Sequence, residues 1–244
     1  MIDIHSHILP NIDDGSKSEY ETLMLLTKAV EEKITDIVAT PHYDNNYKPL
    51  KEIILSKVDF ANQIAQKNDL AIKVHCGQEV RIYDDLISNL DKHLTIDNKG
   101  KSMLIEFPED HVPLYAEKIF YDLQLKGIQP ILVHPERNTA IMNKPNLLYN
   151  FVNRGVLTQI TAGSIVGKFG KNAKKTAFKI IEHELVHLIA SDVHHLKTRD
   201  FHMQKATKIL KRKYGNSYSD YLLDNAEHLI NNAPIYSGYP SSFN

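Results

Sequence analysis

Cysteine is almost missing: Cys76 stands alone among 244 residues, so no internal disulfide can form and a reducing compartment is expected. A charge excess is missing too. Lys and Arg number 29 against 30 Asp and Glu, a formal net charge of -1. That balance gives no basis for nucleic-acid binding or a polybasic contact with lipid. No apolar run approaches the roughly 20 residues of a membrane span. The first residues carry neither the basic nor the apolar region of a signal peptide, so the expected location is cytoplasmic. Repeats, low-complexity tracts and linkers are also lacking, and residues 1–244 are expected to form one domain.

What the chain does have begins at once. Ile2 and Ile4 alternate with polar residues, the period of a short strand. Residues two apart on a strand share a face, so His5 and His7 can aim two imidazoles at one point. The backbone then turns through Pro10 and Gly15 and brings Asp13 and Asp14 close behind. Two nitrogens with acidic oxygens nearby suit a borderline divalent cation such as manganese, zinc or iron.

Strands and helices then alternate. Ser16 or Ser18 can cap a helix running to about Lys33, and Ile34–Thr40 reads as a strand stopped by Pro41. A third strand is expected to end at Glu79, a fourth at Phe107 and a fifth at His134. One helix is expected to run to Arg154, then a strand to Thr161, a helix from about Phe169 to His183 and a strand into Asp192. Two helices follow, and the last dozen residues carry no assignment. Alternation of this kind implies parallel strands joined by right-handed crossovers.

Placement of the polar residues chooses between an open sheet and a barrel. His5, His7, His42, Glu79, Glu106, His134, Asp192 and His194 fall at or just beyond the carboxyl ends of six strands. In a closed barrel those ends surround one pocket, whereas an open sheet would spread them along a line. The expected fold is therefore α/β, an irregular seven-stranded β/α barrel of the TIM-like kind. Such a set exceeds the four or so ligands of one tetrahedral ion and suits a cluster of two or three. Clustered cations hold phosphate oxygens and lower the pKa of water, so hydroxide becomes available near neutral pH.

These residues carry a resemblance. His5-Ser6-His7-Ile8-Leu9-Pro10 with Asp13-Asp14-Gly15, Thr40-Pro41-His42, Gly77-Gln78-Glu79, His134-Pro135-Glu136-Arg137 and Ser191-Asp192-Val193-His194 occur in the order seen in the PHP (polymerase and histidinol phosphatase) superfamily. Within it the chain resembles the bacterial capsular tyrosine phosphatases of the CpsB/CapC class, manganese-dependent enzymes acting on capsule-assembly tyrosine kinases. The resemblance implies up to three divalent ions, Mn2+ with Fe or Zn as substitutes. One would take His5, His7, Glu79 and Asp192, with Glu79 shared by a second ion that adds Glu106 and His134. A third would take Asp14, His42 and His194. Between the adjacent aspartates, only the resemblance selects Asp14 over Asp13. It also assigns phosphate binding to Arg137 and Arg199, whose planar forks suit phosphate oxygens. The implied reaction is hydrolysis of phosphotyrosine, with a bacterial tyrosine kinase as partner.

Cys76 does not compete for this role, because Ile82 stands where a cysteine phosphatase C-x5-R signature needs arginine. It reads as a small buried hydrophobe. His75, His93, His111, His183, His187, His202 and His228 have no motif support, and His187 lies inside an apolar strand as a satisfied core histidine would. Other readings are a histidinol-phosphate phosphatase, a polymerase-associated exonuclease, or a metal-stabilised module that binds a kinase without turnover.

Overall fold

The computed structural model describes every residue, Met1–Asn244, as a mixed α/β fold in which all paired strands run parallel. The strand segments are β1 (Ile2–Ser6), β2 (Asp36–Ala39), β3 (His42–Tyr43), β4 (Lys73–Cys76), β5 (Glu79–Arg81), β6 (Ser102–Glu106), β7 (Gln129–Val133), β8 (Leu157–Thr161) and β9 (Leu188–Ala190). They form a three-stranded sheet, β1-β2-β4, and a six-stranded sheet, β3-β5-β6-β7-β8-β9.

One expected strand gains an extra segment beyond its stop, and another is interrupted. Pro41 has no N–H to continue a ladder, so β2 stops at Ala39 and pairing resumes in the other sheet at His42. Gly77 and Gln78 separate β4 from β5, so Glu79 opens a segment instead of ending one. A Cβ on Gly77 would come within 2.9 Å of Val38 Cγ1, an approach that needs glycine. The ladders thus make two sheets and no closed hydrogen-bonded ring. The first strand meets the end of the last through individual contacts. His7 N donates to Val193 O at 2.8 Å, and Asp192 N to His5 O at 2.9 Å.

The helices are α1 (Glu19–Glu31), α2 (Lys51–Lys67), α3 (Ala116–Leu125), α4 (Thr139–Asn143), α5 (Asn146–Val152), α6 (Ala162–Val166), α7 (Gly170–Glu182), α8 (Met203–Tyr214) and α9 (Asn216–Asn231). Ser18 caps α1, its Oγ accepting from Glu21 N at 3.2 Å while Glu21 Oε2 accepts from Lys17 N at 2.7 Å. The single helix expected up to Arg154 is two. Pro145 drives Lys144 out of helical geometry, to φ -134° and ψ 74°, and splits it. The short helix α6, unassigned from sequence, follows β8 directly. The terminal residues run along the body without regular structure. Asn146 accepts from Phe243 N at 2.8 Å and donates to Phe243 O at 2.9 Å, and the Phe243 ring is buried.

Two apolar cores flank the strands. The larger joins the strands to the helices that cover them. The smaller contains Ile4, Val38, Leu104, Ile131, Val133, Leu157, Leu188 and Ala190, closed off by Ala226, Leu229 and Ile230 of α9. Two residues further along the same face of their strands come Glu106 after Leu104 and Gln159 after Leu157, and Asp192 lies two residues beyond Ala190, just past the end of β9. The smaller core is therefore the floor on which the polar site stands. In β1 the register against β2 slips between Asp3 and Ser6. Such an irregularity re-aims side chains, and His5 turns toward the site although its neighbour Ile4 already faces that core.

Candidate metal centre

Three histidines are held so that one lone pair stays free. His5 Nδ1 lies 2.9 Å from Gln159 Oε1, and Gln159 Nε2 donates to Ile160 O at 2.7 Å. The amide is thereby oriented, His5 Nδ1 must donate, and Nε2 keeps its lone pair. His7 Nδ1 donates to Asp13 Oδ2 at 2.7 Å, which likewise frees Nε2. His194 Nδ1 donates to the Asp192 carbonyl at 3.1 Å and leaves Nε2 facing Asp14 Oδ1 at 3.3 Å. The free nitrogens of His5 and His7 are 3.3 Å apart.

Carboxylates meet these nitrogens. Glu79 Oε2 is 3.2 Å from His5 Nε2, 3.3 Å from His7 Nε2 and 2.9 Å from His42 Nδ1. Its other oxygen, Oε1, is 2.7 Å from His134 Nε2. Asp192 Oδ1 stands 3.5 Å from both His5 and His7 Nε2. Glu106 Oε1 is 3.7 Å from His134 Nε2, and Glu106 Oε2 accepts from Arg81 Nε at 2.8 Å. Asp14 Oδ1 is 3.4 Å from His42 Nε2. Every sequence-predicted ligand is thus in one cluster. Its ligand atoms gather within 4.8 Å in four overlapping sets: His7-Asp14-His42-His194, His5-Glu79-His134, His5-His7-Asp192 and His42-Glu79-Glu106.

His134 and Asp192 both adopt left-handed backbone, with φ of 37° and 54°. Outside glycine this region costs on the order of 1–3 kcal/mol and concentrates at functional sites. Hydrogen bonds from His134 N to Gln159 O at 2.7 Å and from Asp192 N to His5 O at 2.9 Å hold it.

Arg137 and Arg199 are not free surface cations: their side chains are 20% and 27% exposed. Their Nη2 atoms both pair with Asp192 Oδ2, at 2.8 and 2.6 Å. Arg199 Nε is buried without a partner. Both arginines, with Arg81, Tyr47 and Phe169, line a cavity of about 540 Å³ that opens onto Asp14, His42, Glu106 and His134.

The cluster fits a group of cations. Asp14 Oδ1, Glu79 Oε2, Asp192 Oδ1, His42 Nδ1 and His194 Nε2 are buried yet have no hydrogen bond of acceptable geometry. Buried polar atoms are costly when unpaired, and these five, from carboxylates and imidazoles, are donor types that a borderline Lewis acid would satisfy. Burial would raise Glu79, but His5, His42 and the bond from His134 hold its carboxylate well below the usual range. Burial likewise opposes ionisation of Asp192, and Arg137 and Arg199 override it. Burial and the neighbouring Glu79 charge push Glu106 up to about 7. Burial, with Arg137 nearby, lowers His134 to about 3.

Sequence reasoning weighed Asp13 only as a ligand and missed Gln159 and Arg81. Asp13, Gln159 and Arg81 each take the far side of a candidate ligand, the arrangement that tunes metal sites. Gln159 had a legible signal, an amide two positions after Leu157 on the same strand face. Three of the histidines without motif support bond elsewhere: His75 to Asp36 and Asp97, His93 to Tyr83 and Gln78, His187 to Thr158. Cys76 is buried, and burial pushes its thiol up to about 11.

Residues 1–231 match the family described as capsular polysaccharide synthesis, CpsB/CapC. Tyrosine-protein phosphatase YwqE of Bacillus subtilis (strain 168) is 43% identical over 98% of this chain and 95% of its own length. Tyrosine-protein phosphatase CpsB of Streptococcus pneumoniae is 31% identical over 94% of this chain and 98% of its own. A crystal structure from work on YwqE of Bacillus subtilis and CpsB of Streptococcus pneumoniae, described as metal-dependent tyrosine phosphatases, superposes with a TM-score of 0.97. It is 42% identical and covers 100% of both chains. With its motifs in order, its ligand atoms converged and its length spanned by these relatives, this chain belongs to the CpsB/CapC family.

Proposed function

We infer that this chain is a metal-dependent protein-tyrosine phosphatase, and that residues 1–244 act as one phosphatase domain. The observation that carries the reading is the set of buried, unpartnered ligand atoms beside two arginines on one cavity wall. His5, His7, Asp14, His42, Glu79, Glu106, His134, Asp192 and His194 are proposed to hold up to three divalent ions, Mn2+ with Fe or Zn as substitutes. Bound ions supply Lewis acidity toward phosphoryl oxygens and lower the pKa of water. An irregular seven-stranded barrel is the finer proposal for the fold. It is supported by joining β2 to β3 and β4 to β5 as interrupted strands, and by the bridge between Ser6 and Val193.

The chain's own residues do the rest. Arg137 and Arg199 commit one nitrogen each to Asp192 and keep other N–H donors for phosphate, including the unpaired Arg199 Nε. Fixed guanidinium groups stabilise charge that grows on the transferring phosphoryl group. Asp13, Gln159 and Arg81 keep the ligands oriented, so little reorganisation is left for the reaction. The leaving group is a phenolate of pKa about 10, easier to expel than an alkoxide.

The substrate is proposed to be a phosphotyrosine protein, a bacterial tyrosine kinase controlling capsule or exopolysaccharide synthesis, met in the cytoplasm. The test is a manganese-loaded panel of para-nitrophenyl phosphate, a phosphotyrosine peptide, histidinol phosphate and single-stranded DNA. Turnover of the first two is expected. Preference for histidinol phosphate or DNA would move the chain to another branch of the superfamily, and binding without turnover would make it a docking module.

A further inference from the structure

Phe169 sits between two glycines in left-handed backbone, Gly167 at φ 90° and Gly170 at φ 88°. They end α6 and open α7, and other residues would adopt that turn only under strain. The turn places the Phe169 ring on the wall of the cavity that carries the arginines. Arg137 lies over the ring with Cζ 4.6 Å from its centroid, and Arg199 Cζ is 5.9 Å from the same centroid. Both fall within the range over which the negative ring face attracts a guanidinium.

The arginines need such a partner. Both direct Nη2 to one oxygen of Asp192, so two cations converge on a single acceptor and repel each other. A guanidinium held by one N–H can still rotate about that contact. A ring beneath it fixes its plane and consumes no N–H donor, whereas a second carboxylate would occupy the donors that phosphate needs.

The seat of the ring is built for it. A Cβ on Gly163 would come within 2.6 Å of Phe169 Cε2. Gly163 belongs to α6, which is braced to the turn carrying Arg137. The fully buried Glu136 Oε1 accepts from Thr161 N at 2.9 Å and from Ser164 Oγ at 2.7 Å. Ring, seat and Arg137 therefore form one braced unit.

We propose that Phe169 is a positioning residue for phosphate, its ring setting the planes of Arg137 and Arg199 so that their free N–H groups face the phosphoryl group. The inference rests on the assignment of those arginines to phosphate made above.

The test uses the metal-loaded enzyme, with metal content checked for every variant. Phe169→Leu is expected to lower kcat/KM and weaken competitive inhibition by inorganic phosphate, each by roughly tenfold. Phe169→Tyr, which keeps the ring, should restore both. Gly163→Ala, which displaces the ring without removing it, should reproduce the loss and covers the case in which Phe169→Leu folds poorly. In an Arg137→Ala/Arg199→Ala background, Phe169→Leu should cost nothing further. An equal loss in that background would overturn the proposal, because the ring would then act on something other than the arginines. So would a rise in KM for aryl phosphates with inhibition by inorganic phosphate unchanged, the mark of a ring that stacks on substrate. Should the double arginine variant itself keep full kcat/KM, the assignment of the arginines fails first and the proposal falls with it.

Discussion

Asp13 Oδ2 accepts the Nδ1–H of His7 at 2.7 Å, and that bond separates two adjacent aspartates that the sequence leaves equivalent. Asp13 is fully engaged, with Oδ1 accepting from Gly15 N at 2.9 Å and Oδ2 also from His42 N at 3.1 Å. Asp14 Oδ1 instead lies open between His42 and His194. Asp13→Asn is expected to weaken metal affinity roughly 10- to 100-fold without changing the number of ions at saturation. Asp14→Asn should reduce the number bound. Titration followed by metal analysis separates the two, and a reversed pattern would exchange their roles.

Activity should follow metal and ignore thiol. With its thiol pushed up to about 11 by burial, Cys76 holds almost no thiolate at neutral pH. Cys76→Ser should keep most of the turnover of para-nitrophenyl phosphate. Chelation should abolish it and manganese restore it. A dead Cys76→Ser protein alongside activity that survives chelation would refute the metal mechanism.

Glu79 is the hub, with His5, His7 and His42 on Oε2 and His134 on Oε1. Glu79→Gln keeps the shape but offers one oxygen and no charge. More than one ion per chain should be lost, because the carboxylate serves neighbouring sets. Full occupancy in a folded Glu79→Gln protein would remove it from a bridging role.

The arginines carry more stability than surface cations would. Arg137 and Arg199 both neutralise the buried Asp192. Replacing either with Ala should destabilise the metal-free protein by about 1.5–3 kcal/mol, the range for hydrogen bonds to charged groups. The metal-loaded protein should lose less, since bound cations also compensate Asp192. On a phosphotyrosine peptide kcat/KM should fall much further, roughly 100-fold or more. Lys should rescue only in part. Urea unfolding with and without metal, beside kinetics, checks each clause. An unchanged kcat/KM in Arg137→Ala would exclude it as a phosphate clamp.

His187 gives a pH dependence outside the metal cluster. Burial lowers it to about 4 from an ordinary 6.5, and its Nδ1 accepts from Thr158 N at 3.1 Å, so the folded state holds it neutral. Between those values the unfolded chain binds the extra proton, so stability rises with pH. The contribution is complete above about 6.5 and fades as pH falls toward 4, roughly 3 kcal/mol in all. Comparing urea midpoints of wild type and His187→Gln in chelator from pH 7 to pH 4 isolates this group. Wild type should lose more across that window, and parallel curves would show that another group governs the acid limb.

The strand-end residues were legible because period and chain order are local properties. A two-residue alternation that ends in His or Glu before Pro or Gly places a ligand type at a strand terminus whatever the rest of the chain does. Strand and helix order, the buried Cys76 and the core His187 were readable for the same reason. Less local features were not. Gly77 is needed because of Val38, a residue 39 positions earlier, and the Asn146 clamp on Phe243 spans 97.

Sequence by itself determined which groups are present and where each strand delivers them: five histidines and four carboxylates at strand ends and in the first loop, with two arginines just past them. Only the tertiary structure decided which atom of each group is free. Gln159 selects Nε2 of His5, Asp13 selects Nε2 of His7, and Arg137 with Arg199 occupy Oδ2 of Asp192 and leave Oδ1 to face the histidines. A lone pair is assigned by the partner on the other side of its ring or carboxylate. That partner comes from a distant strand, so it is fixed only when the sheets bring the two together.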